Sequence, residues 1–179
     1  PKIGKIAHHA KYDFIVLAKY GLRVAPLTFD TMLAEFIVDP SSRNMGLKNL
    51  AFARLGVEMT HIEELIGKGK KQISMADVAV DSVAPYAAAD AESTLRLLPV
   101  MQAEVKRVRG EKLMDEIDMP LTTVLAEMEM IGVLLDLPFF KKMSAELTKR
   151  LAEIEKDVYA AVGKAFNINS TQQLSDVLF

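Results

Sequence analysis

Two carboxylates and a tyrosine are the residues of this sequence whose types and spacing best fit chemistry. Tyr86 and Asp90 are four residues apart in a helical segment, so both side chains project from one helix face about one turn apart. Three alanines separate them, which leaves room for a backbone or a ligand to approach. Asp13 is predicted in the first turn of another helix, where the helix dipole favours the ionised carboxylate. Neighbouring ionised carboxylates favour a bridging cation, but spacing alone leaves surface carboxylates as the alternative to a metal site.

The other reactive residue types point to chemistry less clearly. His8 and His9 are adjacent and therefore project in different directions, and His61 stands alone, so surface or hydrogen-bonded histidines are the simplest interpretation. The basic turn at 67–71 (Gly-Lys-Gly-Lys-Lys) is compatible with a phosphate contact, although a solvated loop fits the spacing better. The sequence contains no P-loop, no dinucleotide-binding glycine fingerprint and no Ser/His/Asp spacing.

Length and composition fit a globular protein and exclude several functional classes. The chain has 179 residues, 50% of them hydrophobic and 26% charged, which is typical of a packed core. It has no cysteine, which excludes a disulfide scaffold, a thiolate zinc site and a cysteine nucleophile, and agrees with a reducing cytoplasm. A net charge of -2 argues against a strongly basic nucleic-acid surface, and no apolar run reaches the roughly 18 residues of a membrane span. Because the chain opens with Pro1 rather than Met, we expect a piece of a longer protein.

Helices are expected to dominate the elements that position these side chains, because apolar residues recur mostly with a period of 3.6. Two short strands are predicted, from Lys2 to Ile6 and from Val24 to Phe29. In the first half, helices are predicted over residues 11–20, 30–38, 46–55 and 61–66, with glycines or prolines at several of their ends.

The second half is expected to be almost purely helical. A helix from Pro85 carries an apolar stripe, and Pro99 is predicted to kink or split it. Asp118 is predicted to cap the next helix, and Asp136 caps the longest one. A buried stripe is predicted on that longest helix, before a final helix begins at Ser170. The stripe after Pro85 consists of Ala91, Leu95, Leu98, Met101, Val105 and Val108, and that of the longest helix of Met143, Leu147, Leu151, Ile154, Val158 and Val162.

Several short blocks resemble the bacterial DNA polymerase I family (family A). Four blocks resemble the later part of its 3′–5′ exonuclease domain: residues 11–13 (Lys-Tyr-Asp), 29–33 (Phe-Asp-Thr-Met-Leu), 67–70 (Gly-Lys-Gly-Lys) and 86–91 (Tyr-Ala-Ala-Ala-Asp-Ala). Residues 128–133 (Met-Glu-Met-Ile-Gly-Val) and 166–174 (Phe-Asn-Ile-Asn-Ser-Thr-Gln-Gln-Leu) resemble the entry to its polymerase domain and the base of its thumb. Each block is weak alone, but the ordered set is specific.

The resemblance implies a site and a ligand set. In that family the exonuclease holds two divalent ions with four carboxylates and uses a tyrosine beside the attacking water. Matched block by block, Asp13 and Asp90 would be metal ligands, with Mg²⁺ or Mn²⁺ as the expected ions, and Tyr86 would orient the water. The other two carboxylates, an Asp-x-Glu pair on an early strand, would lie before Pro1.

The same resemblance implies how DNA would be bound. The family often has asparagine four residues before the second-motif aspartate, where this chain has His9, which can still donate a hydrogen bond to substrate. Tyr12 would either stack on an unpaired base or pack on its own helix. The expected partners are DNA, as a single-stranded 3′ end and a primer–template duplex, and deoxynucleotides in the parent enzyme. No membrane partner is expected.

The sequence therefore predicts a mainly α fragment with two parts. Residues 1–110 would be a partial exonuclease domain of α/β ribonuclease-H-like fold, and residues 111–179 the truncated thumb base of a polymerase. The fragment would belong to a cytoplasmic enzyme of replication and repair and be inactive alone. Three alternatives stay open: a nuclease-dead scaffold that contacts DNA, a stand-alone exonuclease of the same carboxylate superfamily, and a helical interaction protein with accidental matches.

Overall fold

The computed structural model describes residues 3–179, and the chain divides into two compact units, one ending at Gly132 and one spanning Val133–Phe179. The prediction of a mainly helical protein is confirmed. The first unit contains strands β1 (Lys5–Ala7) and β2 (Leu27–Asp30) and helices α1 (Ala10–Lys19), α2 (Thr31–Val38), α3 (Leu47–Leu55), α4 (Ile62–Ile66), α5 (Val80–Arg107), α6 (Glu111–Leu113) and α7 (Met119–Ile131). The second contains α8 (Leu137–Val162) and α9 (Thr171–Leu178).

The two strands pair in parallel, and α1 connects them as a crossover helix. Ile6 pairs with Phe29 and Ala7 with Asp30, so the carboxyl ends of both strands lie at the same edge of the sheet. Both strands were predicted within about three residues, although Lys2 lies outside the described residues. The edge at Ala7 and Asp30 is where α1 and α2 begin, and it positions the candidate site.

The hydrophobic core of the first unit lies between β2, α2, α3 and α5. Residues after position 110 also contribute to it, through Met114 and Met119. The first compact unit thus extends past residue 110. The boundary predicted there separates two sequence domains rather than two compact units, and it stays a prediction. The buried core side chains are Phe29, Ala34, Leu50, Leu97, Met101, Val105, Met114 and Met119.

Helix α5 corrects two predictions made from its prolines. It is one helix of 28 residues that begins at Val80, five residues before its predicted start, and Pro99 does not split it. Each proline removes only one backbone hydrogen bond, and burial of Met101 and Val105 in the core holds the helix together. Three of the six residues of the predicted apolar stripe are exposed, namely Ala91, Leu95 and Val108.

Asp118 does not cap a helix, so that prediction was wrong. Residues Met114–Asp118 form a π-helical turn that runs directly into α7, and Asp118 itself has helical backbone angles (φ -69°, ψ -42°). A capping residue needs non-helical angles for its side chain to reach the first free N–H groups. The Asp118 carboxyl makes no capping hydrogen bond, and its partial burial raises its pKa.

The second unit confirms two predicted caps and corrects one stripe. The Asp136 side chain accepts a hydrogen bond from the Phe139 N–H at 3.0 Å, and Ser170 Oγ accepts one from the Gln173 N–H at 3.3 Å. The stripe predicted to be buried on α8 is not: Leu151 is 65% exposed, and no residue of α8 or α9, which the structure describes in full, is buried. A pair of helices offers too little surface to cover it.

Across residues 3–179, the helices are all too short or too polar to cross a bilayer.

Candidate functional site

The carboxylate of Asp30, at the end of β2, determines where the candidate site lies. It is 2% exposed, and its Oδ1 accepts hydrogen bonds from the N–H groups of His9 (3.1 Å) and Met32 (2.8 Å). Its Oδ2 accepts one from the Ala10 N–H at 2.6 Å. One buried side chain therefore binds the first turns of both α1 and α2, and such charge-assisted bonds are about twice as strong as neutral ones. No role was predicted for Asp30, although an aspartate between a strand and a helix is a typical N-cap signal.

His9 turns the chain sharply from β1 into α1. Its backbone is left-handed (φ 64°, ψ 52°), which is uncommon for a non-glycine residue and is held here by the bond from its N–H to Asp30. The His9 and Tyr12 rings stack with centroids 6.0 Å apart and planes 23° apart. Both residues are exposed, and Tyr12 is 62% exposed. The start of α1 thus presents a pair of stacked rings at the surface.

An open cleft of about 610 Å³ lies between the start of α1 and the middle of α5. Four of the five predicted site residues line it: His9, Tyr12 and Asp13 from the α1 side, and Asp90 from α5. Tyr86 is not among the lining residues, but it lies one turn before Asp90 on α5 and is half-buried. The fold brings two carboxylates far apart in sequence to the same cleft.

Asp13 lies in an environment that disfavours its charge. Partial desolvation of its carboxyl in the cleft raises its pKa, although the residue as a whole is exposed. His9 acts in the opposite direction and lowers the pKa, while the negative charge of Asp30 raises it further. A cation bound in the cleft would offset this cost, because an opposite charge favours the ionised form.

Asp90 faces a lysine that sequence analysis did not single out. Its buried Oδ1 has no hydrogen-bond partner among the described residues, and the nearest cation is Lys48 Nζ at 3.6 Å. The same Nζ lies 4.1 Å from the centroid of the Tyr86 ring, a cation–π contact. Asp90 and Tyr86 are therefore linked through one ammonium group from α3. No spacing signal relates Lys48 to α5, so only the fold reveals this link.

Comparison with known proteins shows the family to which the chain belongs. A family model described as 3′–5′ exonuclease matches residues 1–106, more than half of the chain. The chain belongs to the 3′–5′ exonuclease family. The DNA polymerase I of Chloroflexus aurantiacus is 43% identical over an alignment that covers 100% of this chain and 19% of that protein. The DNA polymerase I of Pseudomonas aeruginosa is 34% identical, with 100% of this chain and 20% of that protein covered.

A solved structure also resembles this exonuclease-family chain. It is described as the POL domain of Pol1 from M. smegmatis in complex with DNA primer-template and dNTP, and it superposes with a TM-score of 0.70 at 26% identity. The match covers 96% of this chain and 27% of that one. The resemblance to the bacterial DNA polymerase I family is thus confirmed, and the chain spans about a fifth of the length of the curated relatives it matches.

The side chains of this exonuclease-family cleft fit part of a divalent cation site. Asp13 and Asp90 offer carboxylate oxygens, the ligands that Mg²⁺ and Mn²⁺ prefer, and Oδ1 of Asp90 is a buried oxygen that lacks a hydrogen-bond donor. Over residues 3–179, no group of three or more histidines, cysteines or carboxylates is arranged to hold an ion. The described residues therefore offer two carboxylates at this cleft rather than a complete ligand set.

The remaining histidine of the cleft and the basic turn behave as ordinary structural features. His8 Nδ1 is hydrogen-bonded to Thr31 Oγ1 (2.8 Å) and its Nε2 to the Met45 carbonyl (2.9 Å), and burial lowers its pKa. The basic turn contains a single exposed 3₁₀ turn at Gly69–Lys71. The hydrogen-bonded interpretation of His8 is confirmed, and the exposure of the turn agrees with a solvated loop.

Proposed function

We propose that this chain is part of a DNA polymerase I and that its cleft belongs to the 3′–5′ exonuclease that removes mismatched nucleotides. Two carboxylates brought from α1 and α5 to one cleft carry this proposal. In it, Asp13 and Asp90 are ligands of a two-metal site, and the rest of the donor set comes from elsewhere in the longer protein. The parent enzyme would extend primers and act in replication and repair, in the cytoplasm where bacterial DNA lies.

The chemistry is phosphodiester hydrolysis at a 3′ end. Mg²⁺ or Mn²⁺, when bound, would supply an activated water and stabilise charge on the leaving oxygen. The residues of this chain have two other tasks. The Asp13 and Asp90 carboxylates hold charge at the cleft, and the Tyr86 hydroxyl orients the attacking water by a hydrogen bond.

The stacked rings of His9 and Tyr12 are proposed to bind the unpaired 3′ end. Aromatic faces bind bases without reading sequence, at about 1–3 kcal/mol per base. Their exposure beside Asp13 supports this role, because a base stacked there would place its phosphate near the carboxylates. Residues 111–179 would form the thumb base that contacts the primer–template duplex, and deoxynucleotides would bind in other parts of the parent enzyme.

Replacing the two carboxylates in the full-length protein tests the assignment. Asp13→Ala and Asp90→Ala should each abolish release of nucleotides from single-stranded DNA while primer extension continues. Glu92→Gln is a matched control, because Glu92 is an exposed carboxylate two residues from Asp90 on the same helix, and it should excise normally. The 179-residue chain by itself should release no mononucleotides with Mn²⁺. Wild-type excision by the Asp90→Ala variant would remove the assignment.

A second function, a nuclease-dead scaffold that contacts DNA, is favoured by one observation. The charge of Asp90 is already balanced by the Lys48 ammonium, 3.6 Å from its Oδ1. A scaffold of this kind would show no Mn²⁺-dependent excision in the full-length wild-type protein, whereas the proofreading enzyme would. One assay therefore separates the two proposals.

A further inference from the structure

Lys48 extends from α3 to the two site residues on α5. Its side chain is only 19% exposed, which is unusual for lysine, a residue almost never buried without partners. The ammonium donates a hydrogen bond to the Thr60 carbonyl in the segment after α3. It also lies 3.6 Å from Asp90 Oδ1 and 4.1 Å from the Tyr86 ring centroid. Three groups from two separate segments converge on one cation.

The three contacts give the ammonium one hydrogen-bond acceptor, one opposite charge and one aromatic face. A lysine ammonium has three donors and no acceptor, and here it faces a carbonyl, a carboxylate and an aromatic face. The same ammonium therefore contacts both the Tyr86 ring and the Asp90 carboxylate. Any second cation that approaches Asp90 Oδ1 meets the positive charge of Lys48.

We propose that Lys48 is a positioning residue of the exonuclease site, which holds the Tyr86 ring in place and competes with the divalent ion for Asp90. This inference rests on the function proposed above. Lys48 lowers the affinity of the cleft for a divalent ion and keeps the water-orienting Tyr86 side chain ordered. Removing its charge should therefore change the two properties in opposite directions.

Metal affinity is the first measurement, in the full-length protein without DNA. In Lys48→Met, which keeps much of the side-chain length, the Mn²⁺ dissociation constant should fall about five- to tenfold, as expected for loss of a unit charge at 3.6 Å under strong solvent screening. Electron paramagnetic resonance of free Mn²⁺ measures it. Lys48→Arg keeps the charge and should bind Mn²⁺ as the wild type does. Lys106→Met, an exposed lysine of α5, is the matched control.

Excision kinetics are the second measurement. Lys48→Met should lower kcat for excision about tenfold with little change in KM at saturating Mn²⁺, because Tyr86 loses its contact while substrate binding stays. Lys48→Arg should restore much of kcat, since a guanidinium can pair with a carboxylate and stack on a ring. A purely structural lysine would instead weaken both Mn²⁺ binding and excision when replaced.

Two results would overturn this role of Lys48. One is an unchanged or weaker Mn²⁺ affinity in Lys48→Met. The other is an equal gain in affinity when Lys48→Met is added to Asp90→Asn, which would show that the effect does not act through Asp90. Failure of the exonuclease proposal gives a different result, namely no excision by the wild-type protein, with the Mn²⁺ shift still present in Lys48→Met.

Discussion

The two compact units are stabilised in different ways. In the first, long-range contacts bury core side chains such as Leu97 and Met101 completely, and buried charges are matched: the Glu35 carboxylate, 2% exposed, accepts a hydrogen bond at 2.7 Å from Arg54. In the second, the stabilising contacts are local, as in the helix caps and the hydrogen bond of the Tyr159 hydroxyl to the Phe166 carbonyl at 2.9 Å. A cleft with fixed carboxylates therefore needs the long-range burial that the first unit has.

Replacing Asp30 should have the largest effect and should be confined to the first unit. Asp30→Ala leaves the N–H groups of His9, Ala10 and Met32 without their acceptor, so we expect a loss of about 3–5 kcal/mol in the free energy of unfolding. Urea denaturation measures the loss, and hydrogen exchange locates it. Asp39→Ala, an exposed carboxylate at the end of α2, is the control. Equal effects of the two changes would contradict the special role of Asp30.

One leucine from each unit tests the comparison directly. Leu97→Ala in α5 removes a completely buried side chain and should lower the free energy of unfolding by about 2–5 kcal/mol. The unfolding transition of the first unit should therefore occur at a lower urea concentration. Leu151→Ala in α8 removes one that is 65% exposed and should cost less than about 0.5 kcal/mol. A large cost at Leu151 would show that the α8 stripe is covered in solution.

The caps of the second unit should matter only locally. Asp136→Ala removes the acceptor for the Phe139 N–H and should cost about 1 kcal/mol. Hydrogen exchange should speed up in the first turn of α8 and stay unchanged in α5. Asp136→Asn, which keeps a capping oxygen, should behave like the wild type; faster exchange throughout both units would instead mean that they unfold together.

The smallest effect should be a dependence of stability on pH through His8. Because burial lowers the pKa of His8 below its ordinary value of 6.5, the fold favours the neutral ring. Its contribution to stability is therefore present above pH 6.5 and is lost as the pH falls from there through the lower pKa of the folded state. Urea titrations between about pH 5 and 8 should show this slope, which His8→Gln should remove and His61→Gln should not.

The parts of this molecule that could be predicted from sequence are those determined by near neighbours. The caps at Asp136 and Ser170 follow from residues within three positions of each other, and the helical content follows from periodicity. The π-helical turn that carries the chain through Asp118 is a tertiary effect, because Met114 is buried in the core. No local pattern signals such a turn.

In the candidate site, too, the residues that depend on near neighbours could be predicted and those that depend on distant contacts could not. Tyr86 and Asp90 were found from helical spacing, and their role, like that of Asp13, came from resemblance and stays a prediction. Lys48 could not be found, because its partners lie 12, 38 and 42 positions further along the chain. Asp30 accepts bonds from residues 20 and 21 positions earlier, which only the pairing of β1 with β2 brings near.

The shared acceptor at Asp30 also determines which wall of the cleft can shift. Since α1 and α2 begin at the same carboxylate, and α2 packs against the core, α1 cannot rotate away without breaking buried bonds. The opposite wall carries Asp90 on a stretch of α5 whose residues Ala87 and Ala88 are exposed. We therefore expect the Asp13 side of the cleft to stay fixed when a ligand enters, so that any widening comes from the Asp90 side.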